Sequence, residues 1–380
     1  MYAARVGSIM KCTGKQLGMS DPLFRAAFRR YGEPWRVPDE ESEDAKVSGC
    51  LLQAFRSAVS NQRRAIGPKG PIYCDLILNP SFNAMATVEG QHEFVTLFSG
   101  AINLIYTAYF DLLSDPRSLP CIGDPSHESV PDEAVARLRA SVGRYRPNHL
   151  PKDAQRAQAA RDLALLTCLF ILLHEVGHIV GGHPVFIQRH GMAVYEEIPL
   201  SSISENQSRI HLACEWAADQ YAASASYQTA RLILGNPEGF PALAPLHPDL
   251  VWGICAAMTF ILIGYFTGGL RLSSVTHPCS LYRYVWATVT VGEDRECQRF
   301  APDAGILGEG FGEVGTWFER NNLKLAGGRP FVREMTDLKR VYGEYLSVRE
   351  TFLDESELLS AIETERRLGA DAWRKNNHID

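Results

Sequence analysis

Several features that would assign this chain to a common class of protein are absent from it. Its nine cysteines form an odd, scattered set with no Cys-x-x-Cys pair, which predicts reduced thiols rather than a disulfide framework. No basic tract or arginine-rich face occurs and the formal net charge is −6, so we expect no nucleic-acid partner. The glycine-rich stretch 305–315 contains no Gly-Lys-Ser/Thr sequence, and we interpret it as a mobile flap or a connector rather than a phosphate loop.

A secretion signal is also missing, because Met1–Lys15 contains no apolar core of signal-peptide length. We therefore expect a cytoplasmic location. One uncharged run, Leu250–Leu270, is long enough to span a membrane. Its several glycines and threonines, and the lack of a second long span, favour a buried core helix over a membrane anchor. The composition, 46% hydrophobic and 22% charged, is typical of an ordered globular protein.

The residues that are present point to a metal site at positions 174–178, which read His-Glu-Val-Gly-His. Residues four apart share one face of a helix, so the rings of His174 and His178 can reach one Zn²⁺. Glu175 then lies near the open side of the metal, where a carboxylate can take a proton from water. We predict a helix that starts after Pro151 and ends near the glycines at 181–182.

A zinc hydrolase needs a third protein ligand, and two candidates can be compared. In one large class the third ligand is a histidine at the position of Pro184, which excludes that class. The neighbouring His183 would point about 180° away from His174 on a continuous helix, so we predict a structural or substrate-side role for it. A second predicted helix, from about 204 to 234, carries Glu215 and Asp219 on one face. We predict that Glu215 binds the metal and that Asp219 accepts the second N–H of a ligand histidine.

The pair HExxH and ExxAD resembles the gluzincin metallopeptidases. It is most similar to the HtpX-type and CAAX-prenyl-protease-type enzymes and to the Lit-type phage-exclusion peptidases. Two further segments resemble this branch: Asn83–Ala86 with the strand after it, and Thr276–Pro278 with Arg283. The resemblance implies a mostly helical α+β, zincin-like fold in which the edge strand of a small β-sheet flanks the HExxH helix. The matching segments lie between residues 71 and 290, so we expect a metallopeptidase core (71–295). It is flanked by an N-terminal helical extension (1–70) and a C-terminal helical region (296–380), neither of which resembles the family.

The resemblance also suggests roles for residues around the metal. His277 would stabilise the oxyanion or occupy the fourth metal position, unless His277 and the following proline form a simple turn. Arg283 would order that loop or bind a substrate carboxylate. Asn83 and the strand Phe94–Phe98, which contains Thr96, would bind an extended peptide at a sheet edge.

We therefore expect a zinc-dependent endopeptidase that hydrolyses a protein substrate with Glu175 as general base, in phage defence or a stress response. One alternative is a catalytically silent zinc-binding sensor protein. Another is a membrane-anchored protease that uses Leu250–Leu270 as its anchor. A regulatory partner protein that acts through residues 1–70 or 296–380 would explain how such an activity is restrained.

Overall fold

The computed structural model describes residues 22–35, 49–55, 58, 72–89, 92–130, 150–189, 205–235, 239–266 and 280–321. These residues form a mostly helical protein with one small mixed sheet, which confirms the α+β class. His277, the helix expected near 132–142 and the region after residue 321 lie outside the described residues.

The strands of the sheet are β1 (Glu33–Pro34), β2 (Ile72–Leu78), β3 (Ala84–Glu89) and β4 (His92–Phe98). The helices are α1 (Pro22–Phe28), α2 (Ser99–Ser114), α3 (Ala154–Gly181), α4 (His183–Arg189), α5 (Glu205–Leu234), α6 (Pro248–Phe266), α7 (Ser280–Glu293), α8 (Arg295–Gln298) and α9 (Ala304–Arg320). Short 3-10 turns lie at Pro125–His127 and Pro241–Leu243, and residues 49–55 are helical.

The sheet has the order β1-β2-β4-β3, so β4 is a central strand and β3 lies at an edge. β2 and β4 run parallel, whereas the β1–β2 and β3–β4 pairs are antiparallel. Because side chains alternate along a strand, the two faces of the sheet differ. Phe94 and Phe98 of β4 pack with α1 in a separate aromatic cluster, while Val95 and Leu97 join the main helical core.

The helix with the HExxH motif, α3, begins and ends where its sequence predicts. The side chain of Asp153 caps its first turn by accepting a hydrogen bond from the Arg156 N–H. Gly182 ends it in the left-handed conformation, with a φ of 74°. Most of its residues are buried on all sides, as its apolar composition predicts.

The predicted core helix at 250–270 corresponds to α6, whose residues 251–262 are all buried. Among the described helices, α3 is the one that is long and apolar enough to cross a membrane, and 94% of its most apolar window is buried in the protein. The expectation that Leu250–Leu270 is the sole segment of that kind is therefore wrong. The apolar character of both helices is explained by their position in the core.

The glycine-rich stretch 305–315 is not a flap or a connector but most of α9. A Cβ atom on Gly310 would lie 2.4 Å from the backbone of Gly253 in α6, and one on Gly253 would lie 2.5 Å from the carbonyl oxygen of Leu307. The glycines at this crossing therefore let α6 and α9 pack backbone to backbone.

The proposed boundaries at 70 and 295 stay predictions. One continuous hydrophobic cluster contains Phe55 and Trp317 as well as the centre of the chain, so the described residues on both sides of those boundaries share a core. Cys50 is disulfide-bonded, so the expectation of reduced thiols does not hold for this residue. Six other cysteines are free: Cys74, Cys121, Cys168, Cys214, Cys255 and Cys297.

Candidate metal centre

Two helices bring three potential metal ligands together in the interior. α3 supplies His174 and His178, and α5 supplies Glu215. The Nε2 atoms of the two histidines are 3.0 Å apart. The Glu215 carboxylate oxygens lie 3.5 Å from His174 Nε2 and 3.3 Å from His178 Nε2. All three side chains are buried, so the cluster is a shielded site for a cation.

The spacing of these donor atoms agrees with one tetrahedral metal ion. Ligands that bind zinc at about 2.0–2.1 Å in tetrahedral geometry are about 3.3 Å from one another. The observed separations, 3.0, 3.3 and 3.5 Å, are close to that value, with His178 measured to Oε1 of Glu215 and His174 to Oε2 of the same carboxylate. Two imidazoles and a carboxylate are a donor set that zinc accepts, although other divalent metals accept it too. The residues present therefore fit a divalent metal ion, and the identity of the metal belongs to the proposal below.

Gly177, within the motif, makes this arrangement sterically feasible. A Cβ atom at this position would lie 2.9 Å from the Cα of Ala218 and 3.0 Å from the Ala218 carbonyl oxygen on α5. Real side chains essentially never approach a backbone that closely. A glycine here lets α3 and α5 approach closely enough for Glu215 to reach both histidines. The spacing of the ligands in the sequence does not show that position 177 needs a glycine.

Asp219 and Arg283 form a buried network behind the ligands. Asp219 Oδ1 lies 2.9 Å from His174 Nδ1, which is the position predicted for an acceptor that orients this ligand. Arg283 donates to both carboxylate oxygens of Asp219, at 2.6 and 2.7 Å, and its guanidinium lies 3.2 Å from Glu215. The guanidinium therefore holds both carboxylates in place.

The electrostatics favour a cation at this position. Burial lowers the pKa of His174, but hydrogen bonds and charges from Asp219 and Glu215 outweigh it and raise that pKa to about 10. Burial alone would raise the pKa of the Asp219 carboxyl group. The nearby Arg283 and His174 outweigh burial and hold the pKa of Asp219 below its ordinary value. The raised pKa of His174 means that Asp219 and Glu215 favour a positive charge at this ring, and a divalent metal bound there would supply that charge in place of the proton.

Glu175 lies beside the ligands, at the wall of a cavity of about 520 Å³. Burial raises the pKa of its carboxyl group, and the nearby His178 and His174 partly oppose that rise. A carboxylate whose pKa is raised towards neutrality is suited to accept and return protons. The cavity is also lined by apolar side chains, which include Phe82, Phe170, Ile171, Ile187, Phe260 and Ile263.

The predicted substrate-binding residues have different outcomes. Asn83 lines the cavity, and its side chain accepts a hydrogen bond from the Ala84 N–H at 2.9 Å. Thr96 is fully buried on the central strand β4, on the same face as Phe94 and Phe98, which turns it away from the core that holds the metal centre. The edge next to the cavity belongs to β3 rather than to the strand of Thr96, and a role of Thr96 in substrate binding stays a prediction.

Arg283 lines the cavity but is 3% exposed in its side chain and is engaged by Asp219 and Glu215. A role in binding a substrate carboxylate does not fit these contacts, since an incoming carboxylate would compete with two buried ones. His277, the predicted oxyanion donor, lies outside the described residues, so its role stays a prediction.

His183 makes a contact that the sequence reading missed. The chain turns at Gly182, and His183 is buried against α3 with its Nδ1 atom 2.9 Å from Nδ1 of His178. On a continuous helix His183 would point away from His174, so it was not expected to bind the same metal. In the structure His183 lies behind His178. A helix break at Gly181-Gly182 was the one signal in the sequence for this placement.

Comparison of the chain with models of known protein families, with curated proteins and with solved structures found no match. The interpretation of the site therefore depends on the geometry and chemistry of its own residues.

Proposed function

We propose that this protein is a zinc-dependent endopeptidase of the zincin type. The observation that carries the proposal is the cluster of His174, His178 and Glu215 at tetrahedral spacing, with Glu175 next to it at the wall of the same cavity. Three protein ligands leave one metal position open, which is the arrangement of a catalytic rather than a structural zinc site. The resemblance of both motifs to gluzincin metallopeptidases supports the same assignment.

His174, His178 and Glu215 would hold the zinc ion, which would supply a Lewis acid for the peptide carbonyl and for the attacking water. Glu175 takes the proton from the attacking water and delivers it to the leaving amine nitrogen. Asp219 Oδ1 lies 2.9 Å from His174 Nδ1, so Asp219 would take the proton of that nitrogen as a hydrogen bond and leave the Nε2 lone pair of His174 for the metal. Arg283 favours the ionised form of Asp219 and holds the carboxylates of Asp219 and Glu215 in position.

The edge strand β3 supports an extended peptide as the substrate. The carbonyl oxygen of Asn83 accepts from the Phe98 N–H, so residues 83, 85 and 87 direct their main-chain groups towards β4. The N–H and C=O groups of Ala84 and Ala86 then face the other side, along which no described strand pairs. A substrate strand added there would lie across the cavity beside Glu175.

The wall of the cavity supports a preference for apolar side chains next to the scissile bond. Away from the metal cluster its lining is largely aromatic and aliphatic, with Phe82, Phe170 and Phe260 among its members. Burying a large apolar side chain there is favourable by about 1.5–3 kcal/mol. On the resemblance alone, we extend the proposal to a protein that is cut during phage infection or stress.

The proposal is tested with purified, zinc-loaded protein and a quenched fluorescent peptide library. Wild type is expected to cleave peptides that carry bulky apolar residues. The Glu175→Gln variant is expected to retain about one zinc per chain and to lose about 10²–10⁴-fold in kcat/KM, because the general base is removed while the ligands remain. Glu309→Gln, on an exposed position of α9, is the matched control and should cleave as wild type does.

Cleavage by Glu175→Gln at the wild-type rate would contradict the assigned mechanism. A wild-type protein that binds zinc and cleaves none of the peptides would instead support the alternative of a silent zinc-binding protein.

A further inference from the structure

The two metal-binding histidines differ in what lies behind them. His174 has a carboxylate, Asp219, at its Nδ1 atom. His178 has a second imidazole, that of His183, with the two Nδ1 atoms 2.9 Å apart. His183 is 2% exposed and is not part of the cavity wall. It is therefore placed to act on His178 and not on a substrate.

The contact fixes the protons on both rings. A neutral imidazole has one N–H donor and one nitrogen acceptor. If Nε2 of His178 gives its lone pair to a metal, the proton of His178 must be on Nδ1. At a separation of 2.9 Å that N–H needs an acceptor, so Nδ1 of His183 must be unprotonated and the proton of His183 must be on Nε2.

The local sequence builds this contact. Gly182 adopts a left-handed conformation that only glycine adopts readily, and this turn directs His183 back onto α3. A Cβ atom on Gly181 would lie 2.3 Å from Nε2 of His183, so a side chain at position 181 would displace the ring. The two glycines thus provide both the turn and the space that the histidine needs.

We propose that His183 is a positioning residue, which holds the ring of His178 and its Nδ1–H so that Nε2 is presented to the metal. The proposal rests on zinc binding by the proposed function. It assigns a neutral nitrogen, rather than a carboxylate, as the acceptor behind one of the two histidine ligands. Partners of this kind orient metal-binding histidines and commonly contribute about 10–100-fold to metal affinity.

The test compares His183→Leu with His183→Asn in the full chain. Leucine fills the space without an acceptor, whereas the asparagine side-chain oxygen can take the place of Nδ1. Zinc affinity is measured by competition with a chelator, and the stability of the zinc-free protein is measured by thermal unfolding. We expect His183→Leu to bind zinc about 10–100-fold more weakly than wild type, and His183→Asn to bind it more tightly than His183→Leu.

Stability should follow the opposite order, because a buried asparagine amide costs more than a buried leucine when its donors are unpaired. A merely structural role for His183 predicts that zinc affinity follows stability, with leucine better than asparagine, and that result would overturn the proposal. Equal affinity in wild type and His183→Leu would overturn it as well. If wild type itself binds no zinc, the proposed function fails and this inference fails with it.

Nitrogen-15 NMR of the histidines in zinc-loaded wild type gives an answer that does not depend on folding of the variants. The expected pattern is a protonated Nδ1 on His178 and an unprotonated Nδ1 on His183. The reverse assignment would overturn the proposal while leaving zinc binding intact.

Discussion

The buried charged side chains of this protein differ in the kind of partner that they contact. In the candidate metal centre, Arg283 pairs with Asp219 and also lies 3.2 Å from the Glu215 carboxylate. Elsewhere, the guanidinium of Arg156 is completely buried and donates its hydrogen bonds to backbone carbonyls rather than to a carboxylate, and Asp162 is buried with a glutamine as its hydrogen-bond partner. The first arrangement would support the proposed metal binding, and the other two make testable contributions to stability.

Arg156 uses all five of its N–H groups on backbone carbonyls. Its acceptors are the carbonyl oxygens of Leu113, Asp115, Ser118, Leu119 and Ile122. We expect Arg156→Met to lower the free energy of unfolding by at least about 3 kcal/mol, because several buried carbonyls lose their donors. Arg156→Lys keeps the charge but offers three donors, so it should lose less. Chemical denaturation measures both, and equal stability of Arg156→Met and wild type would contradict this assignment.

Asp162 gives a prediction about pH. Burial raises the pKa of its carboxyl group to about 7, against the partial opposition of Gln158 and Arg161. The unfolded chain, with an ordinary pKa near 4, releases this proton first, so the folded state holds more protons between about pH 4 and pH 7. Stability contributed by the protonated group is thus lost as the pH rises through this window, by up to about 4 kcal/mol.

Asp162→Asn removes this titration and keeps the oxygen that accepts from Gln158. We expect the variant to gain stability relative to wild type as the pH rises from 5 to 8, and the two to converge near pH 4. Urea unfolding at several pH values measures the difference. A difference that does not change with pH would show that the carboxyl group is ionised in the folded protein throughout.

At the scale of elements, the crossing of α6 and α9 depends on particular glycines. A Cβ atom at Gly310 would meet backbone atoms of Gly253 and Ile254, whereas one at Gly312 would meet nothing within 4 Å. We expect Gly310→Ala to destabilise the protein by about 1–3 kcal/mol through overpacking. Gly312→Ala should be neutral or stabilise it by up to about 1 kcal/mol, because alanine favours a helix. Thermal unfolding of the pair measures this contrast, and a Gly310→Ala protein as stable as Gly312→Ala would exclude the close crossing.

Local signals predicted some elements and failed at others. The bounds of α3 followed from Asp153 and Gly182, which act on their own helix termini. The glycines of α9 were misread because their local preference is against a helix, whereas the packing that requires them comes from α6. The strand Phe94–Phe98 was expected at a sheet edge, but it is the central strand β4. Which strand lies at the edge is set by pairing with distant parts of the chain, so a local sequence pattern does not show it.

In the candidate metal centre, too, some residues could be predicted from local spacing and others depend on distant parts of the chain. Four residues of the site were found by spacing on two helices: His174, His178, Glu215 and Asp219. Neither Gly177 nor His183 could be assigned in this way, because their roles depend on the approach of α5 and on a turn that reverses the chain. The binding of Arg156 to the end of α2 could not be predicted either, since its five acceptors lie 34 to 43 residues away in sequence.

At the scale of the whole molecule, the proposed zinc ion would join α3 and α5 at the centre of the helical layer, next to the edge of the sheet. A ligand that binds only the folded protein stabilises it according to its free concentration and affinity. The metal would therefore contribute to folding as well as to chemistry. The same three side chains would account for both effects, so zinc binding itself is the central claim.

Zinc content per chain tests that claim most directly. Wild type and Glu215→Ala are purified with added zinc, dialysed against metal-free buffer and measured by elemental analysis, with Glu309→Gln as the control. We predict about one zinc per chain in wild type and in the control, and much less in Glu215→Ala, because two histidines alone leave the metal with too few protein ligands. Equal zinc content in Glu215→Ala and wild type, or no zinc in wild type, would contradict the account.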